Sequence, residues 1–154
     1  MEKKLDKTVV ALSYNAVIKR IDRSSGKVLE EETIHNLVVN DGKERVRDLI
    51  AGLSTGAFSY IGIGESAVAP SATDSALGNE STRASATKSY PSTSQVKYEK
   101  VFSFASGESY SITEAGLFDS ATVSGSTMLN RLTFGAKAVD ADTDLSVAIT
   151  ISVN

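Results

Sequence analysis

The side chains of this sequence that could do chemistry are few, and each stands without the partners its chemistry needs. His35 is the only histidine and there is no cysteine, so neither a thiolate nucleophile nor a base to activate one is at hand. No Gly-x-Ser-x-Gly elbow exposes a serine beside such a base. Ser85 and Lys88 have the spacing of the serine and lysine of penicillin-recognising enzymes, but the Ser-Asp-Asn and Lys-Thr-Gly segments that complete that site are missing. Gly62-Ile-Gly64-Glu-Ser-Ala67 repeats the first two glycines of a dinucleotide fingerprint. That fingerprint needs a helix to begin there and meet the pyrophosphate, and Ser66 to Thr73, with Pro70 among them, is poor helix material. Glycines at a strand end account for the pattern, and no catalytic residue and no cofactor are expected.

Asp140, Asp142 and Asp144 alternate as the first carboxylates of a calcium loop do. Leu145 and Ile151 stand where such a loop wants its glycine and its bidentate glutamate. The three aspartates are therefore a weak calcium candidate, set against a solvated turn that keeps a strand end soluble. With no cysteine, a thiolate zinc site is excluded. Asn79-Glu80-Ser81 has the glycosylation spacing, which matters only for a secreted chain.

The 154 residues suit one domain over 8–154. A formal charge of −3 and a pI near 5.2 give no broad basic footprint, so no nucleic-acid partner is expected. No apolar run approaches the roughly twenty residues that span a bilayer, and the first seven residues lack the apolar core of a signal peptide. Assembly in a cytoplasm without a membrane partner is the expectation. Residues 1–7 are charged and aperiodic, an arm whose Lys3, Lys4 and Lys7 are candidate contacts to a partner.

The elements that would position any site are mostly strands. Thr8 to Tyr14 and Ala16 to Ile21 read as strand material, Asp22-Arg-Ser-Ser-Gly26 as a turn, and Lys27 to Ile34 as the returning strand of a hairpin. Val46, Leu49, Ile50 and Leu53 recur at helical spacing, giving one short amphipathic helix at about residues 42–54, with Asp41 as cap, Glu44 as its reciprocal partner, and Lys43, Arg45, Arg47 and Asp48 facing water. Phe58 to Gly64 is a strand. Residues 65–94, rich in Ser, Ala and Thr, read as a long surface loop, and loops of that length are usually functional or interfacial. From Gln95 onward strands and turns alternate, with Met128, Leu132 and Phe134 on one face of a strand, and Leu145 to Val153 as the cleanest alternation. That last strand belongs near a sheet centre or at a subunit contact. Together these elements predict a mainly β chain, an antiparallel, jelly-roll-like β-sandwich with one helix.

His35-Asn-Leu-Val-Val-Asn-Asp-Gly42, Phe58-Ser-Tyr-Ile-Gly-Ile-Gly64, the loop residues Pro70, Asp74 and Leu77, Glu114-Ala-Gly-Leu-Phe118 and Met128-Leu-Asn-Arg131 resemble a group of small structural proteins of tailed bacteriophages and prophages. The resemblance covers residues 35 to 153. It implies a non-enzymatic virion component, assembled in the host cytoplasm; a small acidic β domain with a charged N-terminal segment suits the capsid decoration or turret type, and the alternative is a tail fibre or baseplate module that binds host-surface carbohydrate. Trp is absent and aromatic residues are 6% of the chain, which disfavours sugar stacking. Pro70, Asp74 and Leu77 are candidate interface residues. The partners implied are a major capsid or tail protein and further copies of the chain, as a homotrimer whose three-fold order comes from the resemblance alone. Self-association is further expected because a chain-terminal strand leaves a sheet edge open.

Overall fold

The structure, a computed structural model, describes residues 10–35, 37–54 and 56–154. The expected arm, with Lys3, Lys4 and Lys7, lies outside the described residues. Two five-stranded antiparallel sheets face each other. The first holds β1 (Leu12–Asp22), β2 (Val28–His35), β6 (Thr87–Ser89), β7 (Gln95–Ser103) and β10 (Thr143–Val153), in the order β2-β1-β10-β7-β6. The second holds β3 (Leu37–Val38), β4 (Tyr60–Gly64), β5 (Glu80–Ser85), β8 (Tyr110–Phe118) and β9 (Met128–Val139), in the order β3-β9-β8-β4-β5. The helix α1 spans Asn40–Ile50. The chain is a β-sandwich with one short helix.

Period-two alternation is what makes the sandwich, because it gives each strand one apolar face. Ile18, Tyr98, Val147 and Ile149 from the first sheet meet Ile61, Ile63, Leu117 and Leu132 from the second in one buried cluster. β10 pairs with β1 from Leu12↔Val153 to Asp22↔Thr143 and, on its other side, with β7 from Asp144↔Ser103 to Ser152↔Gln95. The terminal strand is thus the centre of its sheet. The edge it was expected to leave open to another copy does not exist.

Three further expectations are corrected. The helix starts and stops earlier than residues 42–54. Its N-cap is Val39, with no side-chain cap; the Val39 and Asn40 N–H groups instead donate to Leu129 O and Ala72 O, so Asp41 contributes only its charge to the first turn. At the other end Gly52, at φ +70°, donates to Leu49 O while Leu53 N–H donates to Asp48 O, the paired bonds that close a helix on a left-handed glycine. Leu53 therefore lies beyond the helix at 76% exposure and Ile50 is 84% exposed. The face turned to the core carries buried Gly42 and half-buried Val46 and Leu49, and Arg45 is not left to water. Gly42 is obligatory, since a Cβ there would stand 2.7 Å from Leu129 Cα.

The expected loop over 65–94 contains β5 and β6, which pass from one sheet to the other at Ala86, and only its two ends, residues 65–79 and 90–94, are loop. Edge strands need little apolar alternation, so Ser-rich composition hid them. Finally, Met128 does not share a face with Leu132 and Phe134. The register slips by one at Leu129, where Leu117 pairs with Asn130 but Phe118 with Met128, and this bulge turns Met128 to the outer face beside Val39, Leu77 and Phe118.

Candidate functional site

The outer face of the second sheet is covered by residues 65–79, a strap held down by charge. Glu114 rises from the middle of β8 and is fully buried. Its Oε1 accepts the N–H groups of Ser66 (3.2 Å) and Asn79 (2.7 Å), and its Oε2 accepts Gly78 N–H (2.9 Å) and Arg131 Nε (2.9 Å). Arg131, on neighbouring β9 and 3% exposed in its side chain, donates its other nitrogens to Asp74 Oδ2 (2.9 Å), Val68 O (3.0 Å) and Ser66 Oγ (3.5 Å). One carboxylate thus holds both ends of the strap and one guanidinium its middle. A buried charge is tolerable only when paired and hydrogen-bonded in this way. The Ser71 N–H, and after it the Arg131 guanidinium, hold the Asp74 carboxyl below its usual range against the opposing effect of burial.

Leu77 plugs the strap into Val39, Phe118 and Met128. The two glycines of β4 make room beneath. A Cβ on Gly64 would stand 2.6 Å from Glu114 Oε1, and one on Gly62 would stand 2.9 Å from both Glu80 Oε1 and the Phe118 ring. The apparent dinucleotide motif is thus a packing requirement.

Two more arginines fasten the neighbouring loops. Arg83 bonds Glu80 (2.8 Å), Ser120 O (2.9 Å), Thr122 O (3.0 Å) and Ser126 Oγ (2.9 Å). Arg45 joins the helix to Gly56 O (2.8 Å), Asp119 (2.7 Å) and Thr127 Oγ1 (3.0 Å).

Against this geometry the expected site residues fall as follows. Of the expected interface residues, Leu77 is buried under the strap, and Asp74, half-buried, bonds Arg131 and the Ser71 N–H. Pro70 lines an open cleft of 360 Å³ with His35, Leu37, Arg131, Leu132 and Thr133. The calcium candidates do not converge: Asp140 accepts Asp142 N–H and Thr143 Oγ1 within its own turn, while Asp144 is paired with Arg23 at 2.8 Å. Among the described residues no three ligating side chains are grouped for a metal. Ser85 ends β5 in one sheet and Lys88 lies on β6 in the other, its ammonium 5.8 Å from the Tyr98 ring. His35 makes no side-chain hydrogen bond among the described residues.

The residues that sequence reasoning passed over are the fastening pairs. Glu114 carried a signal, being the one charge in its strand, and so did Arg131, set between Leu129 and Leu132. Compared with known proteins, the chain matches no family model, no curated protein and no solved structure.

Proposed function

We propose that this chain is a non-enzymatic structural subunit of a tailed-phage particle, a decoration or turret-type subunit held on the virion by contacts with a major capsid or tail protein and with copies of itself. The observation that supports it is how buried charge is used. Glu114, Arg131, Asp74, Arg83, Glu80, Arg45 and Asp119 bond one another and nearby backbone, tying strap and loops to a sheet instead of presenting a base or nucleophile. A shell component needs such loops rigid and shaped. The assignment to a phage particle rests on the resemblance of residues 35–153.

Mass spectrometry of purified particles, followed by cryo-EM with the chain fitted into the map, tests the proposal. The expected result is density for the sandwich at the particle surface in stoichiometric amount. Particles that lack the chain would overturn it, as would turnover of peptidoglycan, glycan or ester substrates by the purified protein.

A further inference from the structure

Among the described residues four strands end the sheets sideways: β2 and β6 in the first, β3 and β5 in the second. An edge strand presents unpaired N–H and C=O groups and pairs with another chain unless it is blunted. Three of the four are blunted. β2 carries Glu30, Glu31 and Glu32, and Glu32 also accepts Lys137 Nζ (2.7 Å) and Gly135 N–H (3.2 Å) from β9. β3 is two residues long, and β6 three residues with Lys88 at its centre. β5 is different. It runs for six residues without proline, and its only charged side chains, Glu80 and Arg83, are 11% and 3% exposed and bonded to each other. Arg83 lies inward over the Phe118 ring, so neither charge guards the edge. What a neighbour would meet is Ser81, Thr82, Ala84 and Ser85, small and neutral.

We propose that β5 is an assembly edge, at which a second copy of the chain lays its own β5 antiparallel across a two-fold axis. The sheet β3-β9-β8-β4-β5 then continues into its symmetry mate as one ten-stranded sheet. Charge selects the occupant: with the two-fold axis at Thr82, Arg83 stands opposite Ser81 and Glu80 opposite Ala84, so no like charges meet, whereas two β2 strands would set glutamates against glutamates. Small side chains also leave the backbones free to reach the roughly 4.8 Å spacing of paired strands. A two-fold contact uses the same surface on both chains and closes at two, so an unguarded edge here does not propagate into a fibre. Six residues a side bury less than the roughly 1,200 Å² of a standing complex, which makes the dimer concentration-dependent. The proposal does not depend on the particle role, and its two-fold order differs from the three-fold order that the resemblance implies.

Sedimentation equilibrium of the full chain from micromolar to millimolar concentration is the test. The average mass should rise from one chain towards two, and Thr82→Lys, which opposes like charges across the axis, should hold it at one chain with an unchanged circular dichroism spectrum. Since the chain has no cysteine, single cysteines at positions 81, 82, 84 and 85 give an independent readout that stands if Thr82→Lys fails to fold. Oxidative cross-linking should peak at one position and fall off along the strand. A wild-type chain that stays single at millimolar concentration, a dimer indifferent to Thr82→Lys, a trimer, or cross-linking without a peak would overturn the proposal.

Discussion

The guanidinium of Arg83 lies 3.6 Å from the centre of the Phe118 ring, with its carbon over the ring face. Arg83 stands on β5 and Phe118 on β8, so β4 runs between them, and Gly62 is the β4 residue opposite Arg83. A side chain at position 62 would occupy the space that the ring and the Glu80 carboxylate already fill. The pair is therefore made possible by a third residue that contributes no side chain.

Gly62→Ala should accordingly destabilise by about 1–3 kcal/mol, the usual cost of overpacking. The Phe118 ring cannot yield easily, and Glu80 can move only by loosening its bond to Arg83. Gly26→Ala, in open space but at φ +72°, measures the separate cost of left-handed backbone strain, which Gly62 does not carry. A urea midpoint for Gly62→Ala equal to wild type would show that the crossing is looser than described.

The strap gives a second expectation. Arg131→Met leaves Glu114 and Asp74 without their cation and should cost about 3–5 kcal/mol, as removal of one member of a buried pair does. Hydrogen exchange at Gly78 and Asn79, whose N–H groups end on Glu114, should quicken more than at Ile149 in the sheet centre. Uniform quickening would mean that the strap and the sandwich open as one unit.

How much of this was legible in the sequence depends on range. The alternation of Leu145, Val147, Ile149 and Ile151 announces a strand, but which strands flank it is decided by pairings with β1 and β7 far along the chain. Helical spacing correctly marked Val46 and Leu49, then carried on into Ile50 and Leu53, because the pattern does not register that Gly52 has left the helix. Met128 was placed on the wrong face by a single bulged residue, Leu129. The strap was visible as a loop, but its anchoring was not. Glu114 finds its partners 17, 35, 36 and 48 residues away, and nothing local specifies them.

Acid should loosen the strap through Asp74. Its folded carboxyl is held below the unfolded value, so its contribution is present above the unfolded pKa of about 3.9 and is lost as pH falls through the folded one. Exchange at Asp74 and Ser71 should quicken below about pH 4 in wild type. In Asp74→Asn this acid-dependent step should be reduced. An identical acid profile in both proteins would assign the step to another group.

The corrected helix separates two leucine-like residues that periodicity treated alike. Leu49→Ala removes a side chain packed against the core and should cost about 2–5 kcal/mol, towards the lower end because the residue is only partly buried. Ile50→Ala and Lys43→Ala, both at exposed positions, should stay within about 0.5 kcal/mol of wild type. Equal loss for Leu49→Ala and Ile50→Ala would restore the longer buried stripe and refute the described helix.

The last expectation concerns Tyr14, in the core with its hydroxyl unpaired among the described residues. Burial pushes its phenol up to about 12, from an ordinary value of 10.0. Above pH 10 the unfolded chain therefore loses this proton while the folded chain keeps it, and stability must fall as pH rises. Over the interval to about pH 12 the loss from this group comes to about 2–3 kcal/mol. Tyr98, raised first by burial and then by the nearby Tyr90 charge, acts in the same direction. Tyr14→Phe removes the titration and an unsatisfied buried hydroxyl together, so it should be neutral or stabilising at pH 7 and should flatten the alkaline limb without abolishing it. Urea midpoints for both proteins measured at neutral and alkaline pH decide the matter. A phenylalanine variant that is weaker at neutral pH and equally alkali-sensitive would show that the Tyr14 hydroxyl is bonded in solution.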